Sequence, residues 1–126
     1  MLSHEVDPAQ PETLVRALAE LLPTGAVQRE DAAAWVAFGA AASTRPWLAD
    51  PYWEALQTMR TWVEGILTDA RKAGRMRVDL SPAEGARLVT AVVNGLTLDL
   101  LNAPPTEADE VIGQLRSGLG LILRGL

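Results

Sequence analysis

The 126-residue chain contains no cysteine, which excludes a disulfide framework and any thiolate chemistry. That absence is compatible with a reducing compartment. Histidine is nearly absent as well: His4 is the single example, and it stands in a segment, "MLSHEVDPAQPE", that reads as a loose tail over residues 1–10. A tail histidine is a surface group rather than a metal ligand. No H-E-x-x-H or E-x-x-H spacing exists for zinc or di-iron chemistry. The glycines form no phosphate-cradling pattern. Paired acids such as Asp109 and Glu110 stand at a helix start, where capping accounts for them. The sequence therefore argues against an enzyme and for no cofactor.

Two further absences narrow the function classes. The formal charge is −5, so the chain lacks the basic footprint of a nucleic-acid binder. Its one basic cluster, Arg71, Lys72, Arg75 and Arg77, surrounds Gly74 at a helix end, where cations suit the helix dipole. No run approaches the roughly 18 apolar residues of a membrane span. The first residues carry acids and prolines where a signal peptide has a basic start and an apolar run. A cytoplasmic location without membrane contact is the expectation.

What is present is apolar spacing of three and four, with no convincing strand pattern and no internal repeat. Five helices are expected, within one domain spanning 11–126. The first runs from about Pro11 to Leu22, with Leu14, Val15, Leu18, Leu21 and Leu22 in one stripe, and is stopped by Pro23 and Gly25. The second covers about Gln28 to Ser43. Its stretch "AAAWVAFGAAA" has no polar side chain, which predicts burial on all sides. The third is expected from Pro51 to Ala73, capped by Asp50 and ended by Gly74. Its apolar set, Tyr52, Ala55, Leu56, Met59, Trp62, Val63, Ile66, Leu67 and Ala70, spans roughly 140° of the wheel. "RMRVDL" reads as a short extended connector. "SPAE" at Ser81 to Glu84 supplies cap, proline and capping-box acid for a fourth helix ending near Asn102. Thr106 is expected to cap the fifth, which buries Val111, Ile112, Leu115, Leu119, Ile122 and Leu126.

The last two helices each carry a second face. On the fourth, the main apolar arc holds Leu88, Val89, Val92, Val93, Leu96 and Leu100, while Ala91 and Gly95 lie on another side. The polar strip is narrow: Arg87, Thr90, Asn94 and Thr97. On the fifth, Gly113, Ser117 and Gly120 lie opposite the apolar stripe. Each interior glycine costs about 1 kcal/mol relative to alanine, so the three in this helix, Gly113, Gly120 and the off-line Gly118, cost roughly 3 kcal/mol. Against a typical stability of about 5–15 kcal/mol, such a cost calls for compensation by a closely packed neighbour. A twofold homodimer is expected, its interface built from Leu88, Ala91, Val92, Gly95, Gly113, Ser117 and Gly120.

A ligand pocket is the other expectation. Small residues beside Trp35 and Phe38 either permit tight packing or leave room. The third helix adds Met59, Trp62 and Ile66, an adaptable thioether and flat or aliphatic faces suited to lining a site. Asn94, with Thr90, is the candidate polar group, although both lie on the polar strip, where simple exposure also explains them. Tyr52 and Trp53 either rim an entrance or staple the "RPWLADP" loop. No Lys or Arg falls among these residues, which favours a neutral or weakly cationic aromatic ligand.

The order of segments resembles the C-terminal domain of TetR-family transcriptional regulators, most closely the BetI-type subgroup. The resemblance rests on "LLP" before an alanine-rich helix with "W-x-x-F" at Trp35 and Phe38. It continues with "A-x-x-x-G-R-x-x-x-D-L-x-P-x-x-x-A" from Ala70 to Ala86, and "V-x-G-L" at Val93, Gly95 and Leu96. It covers about Leu14 to Leu123. It implies an all-α homodimeric domain whose last two helices form a four-helix interface, and a small-molecule effector cavity between the helices. It also implies that effector binding changes the separation of two N-terminal DNA-binding heads. The expected helix-turn-helix is missing before the first helix, so DNA contact is expected only through such a head. The other reading is a helical homodimeric interaction module without a small-molecule pocket.

Overall fold

The computed structural model describes residues 5–77, 79–104 and 108–126. Five helices account for most of them: α1 Pro11–Ala19, α2 Ala26–Ala42, α3 Pro46–Lys72, α4 Pro82–Asn102 and α5 Ala108–Gly120. The expected all-α, five-helix architecture is the one observed. The helix α4 is central, packing along α3 and against α2 and α5, while α1 lies on α5. One core runs through them, built on Leu14, Leu18, Leu22, Val63, Leu67, Val89, Leu100, Leu115 and Leu119.

Local chemistry explains most boundaries. The Ser81 hydroxyl accepts the Glu84 N–H at 3.1 Å, and Pro82 opens α4 where its missing N–H costs nothing. Gly74 takes φ +74° just after α3, a conformation that disfavours any side chain. Residues 5–10, expected as part of a loose tail, hold a turn. The Asp7 N–H donates to Thr13 Oγ1 at 2.8 Å, the Ala9 N–H donates to Asp7 Oδ1 at 3.0 Å, and Val6 packs on the core. The Thr106 cap and His4 lie outside the described residues.

Three expectations are overturned. The helix α3 begins at Pro46, after an extended Arg45, and not at an Asp50 cap. Pro51 sits in its second turn and removes one bond to the Trp47 carbonyl. Trp47 is 73% exposed, so the loss falls on the solvent side of the helix, where it costs least. The helix α2 is not buried all round: only Ala32 and Ala42 are buried, while Ala33, Ala34, Ala37 and Ala40 face outward. Alanine forms helix without needing a core and exposes one methyl each, so its hydropathy does not report burial. The helix α5 ends at Gly120 rather than running to Leu126. Residues beyond it turn back to meet the connector: Met76 bridges Leu123, the Arg77 N–H donates to Ile122 O at 3.0 Å, and the Arg124 N–H donates to Arg75 O at 2.6 Å. The polar strip of α4 is divided: Arg87 is exposed, and of the two readings open for Thr90 the inward one holds. Thr90 and Thr97 are buried, whereas Leu88, Ala91, Gly95 and Leu98 are exposed.

Candidate functional site

A cavity of 280 Å³ lies among the end of α1, α2, α3 and α4. Leu18 and Leu21 close one side; Ala32 and Trp35 come from α2, Ala55, Leu56 and Met59 from α3, and Val89 and Val93 from α4. Small residues contribute to the space: Ala32 and Ala55 are lining residues with one methyl group each. The size falls just below the usual range of ligand sites, about 300–1,000 Å³. It is nearly twice the roughly 150 Å³ apolar cavity that takes a benzene.

The polar lining is specific in kind. Thr90 and Thr97 are buried, yet neither hydroxyl is orphaned. Thr90 Oγ1 donates to Ala86 O at 3.0 Å and to Arg87 O at 3.1 Å, and Thr97 Oγ1 donates to Val93 O at 2.7 Å. Such bonds to a helix's own carbonyls permit burial of a hydroxyl. Trp35 Nε1–H donates to Asn94 Oδ1 at 3.1 Å, joining α2 to α4 across the wall. The charged lining groups are Glu20 and Asp31; no Lys or Arg lines the cavity. Gln28 and Asp31 are exposed and form part of its rim.

An aromatic group holds the wall in shape. Trp35 stacks on Tyr52, centroids 4.9 Å apart, and Phe38 stands edge-on to both at 6.0 and 5.4 Å. Gly39 makes room for Tyr52, since a Cβ there would stand 3.1 Å from the ring. Tyr52 is thus the staple between α2 and α3. Trp53 lies outside it, with the Arg60 guanidinium 5.3 Å from its ring centroid.

Of the residues singled out in the sequence, Trp35, Met59, Thr90 and Asn94 line the cavity. Phe38, Trp62 and Ile66 do not. Phe38 backs Trp35 from behind. Trp62 and Ile66 continue the Met59 face about one and two turns further along α3; Trp62 is 37% exposed and Ile66 packs on the core. Sequence reasoning missed Thr97, Val89, Val93, Ala32, Glu20 and Asp31. The 90–94–97 spacing of Thr, Asn and Thr on one helix line was the available signal for part of that set.

Two further polar links organise the domain. The Arg29 guanidinium donates to Leu101 O at 3.0 Å and Leu100 O at 3.4 Å, so a cation from α2 closes the C-terminal end of α4. Arg116 binds Glu12 through Nη2 at 2.6 Å and Nε at 3.2 Å, tying α5 to α1. The hydrogen bond from Arg116 holds the Glu12 carboxyl below the usual carboxylate range, against a smaller opposing effect of burial.

The outer faces of α4 and α5 carry the small-residue ridge. A Cβ on Gly95, Gly113 or Gly120 would meet nothing within 4 Å, Ala91 and Ser117 are exposed, and Leu88 is 47% exposed. Val92 is different: it is half-buried, and a Cβ on Gly118 would stand 3.4 Å from its Cγ1. Gly118 therefore serves the α4–α5 contact inside one chain. The basic cluster Arg71, Lys72, Arg75 and Arg77 is exposed at the end of α3. Among the described residues no group of three or more His, Cys, Asp or Glu is placed to hold a metal, and no helix is long and apolar enough to cross a membrane.

Residues 11–124 match the family model of the BetI-type transcriptional repressor, C-terminal domain. The fold is similar to the crystal structure of a transcriptional regulator from Rhodococcus sp. Rha1, with a TM-score of 0.77 and 27% identity over 96% of this chain. The chain spans 62% of that regulator's length. No curated protein matches the chain.

Proposed function

The chain belongs to the family of BetI-type transcriptional repressor C-terminal domains, and on that premise we propose that its cavity receives a small effector while the outer faces of α4 and α5 pair two copies. It is a regulatory domain of a transcriptional regulator, and the family is one of regulators and not of enzymes. The observation that carries the effector reading is the 280 Å³ cavity with an apolar wall, a few placed polar groups and Trp35 at its side. With Asp31 at its rim, the Trp35 ring at its side and no Lys or Arg in its lining, the site suits a neutral or cationic aromatic molecule of about two fused rings. An anionic effector would find no buried cationic partner in this lining.

The helix α4 is the coupling element of this reading. Its inner side lines the cavity through Thr90, Val93, Asn94 and Thr97, and its outer side carries Leu88, Ala91 and Gly95. A ligand that moves α4 moves the ridge that faces the second copy, and with it the spacing of DNA-binding heads in a whole repressor. DNA contact is assigned to such heads because this chain is acidic.

A thermal-shift panel of neutral and cationic bicyclic aromatics tests the effector reading, on wild type and on Ala32→Phe. Ala32 is 6% exposed and lines the cavity, so a phenyl ring there occupies the ligand's space. A ligand at a hundred times its Kd stabilises the wild type by about 2.7 kcal/mol. The variant is expected to lose most of that shift while melting no earlier than wild type without ligand. If no compound in the panel shifts the wild type, the interaction-module reading replaces this one.

A further inference from the structure

Resting on the effector reading above, we infer that Trp35 locks the Asn94 amide so that the cavity offers a fixed hydrogen-bond donor, and that the ligand carries a neutral acceptor on its aromatic body. An asparagine amide has one acceptor end and one donor end, and either can face a site. The indole N–H of Trp35 only donates, so its 3.1 Å bond fixes Oδ1 toward Trp35. The Nδ2 group is thereby turned elsewhere, and Asn94 is a lining residue.

The remaining inner groups cannot donate to a ligand. The one proton of Thr90 is engaged by Ala86 O and Arg87 O, and that of Thr97 by Val93 O. Thr58 likewise donates to Glu54 O at 3.0 Å. These hydroxyls can only accept. The Gln28 amide belongs to the exposed rim. Asn94 Nδ2 is then the donor of the inner wall, beside the indole of Trp35. A ring carbonyl, an aryl ketone or an ether oxygen matches it. A ligand with no acceptor displaces water from this half-buried amide without replacing its hydrogen bonds, which is costly.

Trp35 is accordingly a positioning residue for Asn94 as well as part of the wall. The two roles separate experimentally, because one concerns ring area and the other concerns which end of the amide faces inward.

Two neutral probes of similar size carry the test: 2-acetylnaphthalene, with an acceptor, and 2-isopropylnaphthalene, without one. Affinities are measured by calorimetry on wild type, Asn94→Asp and Trp35→Phe, using the whole 126-residue chain. Asn94→Asp keeps an acceptor for the Trp35 N–H but removes the donor. It is expected to weaken 2-acetylnaphthalene about tenfold and 2-isopropylnaphthalene less than about twofold, a difference of one hydrogen bond. Trp35→Phe frees the amide to turn and is expected to halve, at least, the preference for the acetyl probe. Independently of any variant, the Asn94 side-chain NH₂ resonances of ¹⁵N-labelled wild type are expected to move downfield with 2-acetylnaphthalene and not with 2-isopropylnaphthalene. Equal losses for both probes in Asn94→Asp, or NH₂ resonances that respond alike, overturn the donor assignment and leave the effector reading standing. Failure of both probes to bind wild type overturns the assignment together with the effector reading for bicyclic aromatics.

Discussion

Replacing Leu67 with alanine is expected to destabilise the domain by about 3 kcal/mol and to lower its Tm by roughly 10 °C. Leu67 is completely buried where α3 meets the first turn of α4 and the chain beyond α5. Its Cδ1 occupies a special place: a Cβ on Gly85 would stand 2.8 Å from it, 3.0 Å from Met76 Cε and 3.4 Å from Ile122 Cγ2. Gly85 lets the two helices approach this closely, and Leu67 fills the notch. Removing the leucine leaves a void that Gly85 cannot fill, although the flexible Met76 relaxes into part of it. Adding a methyl by Gly85→Ala in the intact protein overpacks the same notch, at about 1–3 kcal/mol. The two changes are complementary in volume, so the double variant is expected to lose clearly less than the sum. Urea denaturation measures all three. A loss below about 1 kcal/mol for Leu67→Ala, or strict additivity, contradicts this packing.

Gly95→Leu is expected to act in opposite directions on the single chain and on the pair. Within one chain a Cβ on Gly95 meets nothing within 4 Å, and the helix gains propensity worth about 0.8 kcal/mol. Across a close-packed twofold ridge the same side chain holds the backbones apart. Dimer dissociation is then expected to become easier by at least about a hundredfold, equivalent to roughly 2.7 kcal/mol. Gly113→Leu has the same geometry, with open space around its Cβ, and the same expectation. Sedimentation velocity across a dilution series reads the association, and the melting curve of the dilute chain reads the fold. A variant that melts higher and associates as wild type does identifies the ridge as free surface.

Helix existence was legible because it depends on local chemistry. The Ser81 cap, the Gly74 stop and the leucine stripe of α1 are written in neighbouring residues, and each stands where the pattern places it. Burial was less legible wherever one residue type serves two environments. Alanine is at home inside and outside, so the all-apolar stretch of α2 overstated its burial. Threonine reads as polar, yet Thr90 and Thr97 satisfy their hydroxyls on their own helix and turn inward. Two prolines five residues apart both suit a helix start, and only the exposed surroundings of Pro51 allow the earlier one to win. The cavity is a shortage of volume among segments distant in sequence. Trp35, Met59 and Asn94 stand on its wall because their helix faces point there, whereas Trp62 has suitable chemistry but lies about one turn further along α3.

The central claim is that a small aromatic molecule occupies the space between α1, α2, α3 and α4, and methyl NMR tests it most directly. The chain has three methionines, so their methyl signals are few and readily assigned. Met59 lines the cavity; Met76 is buried in the core beside Gly85, away from the cavity wall. On titration with 2-acetylnaphthalene, the ring current is expected to shift the Met59 methyl upfield in a saturable manner while the Met76 methyl stays in place. A Met59 signal that does not move at saturating probe, or one that moves no more than Met76, contradicts the account.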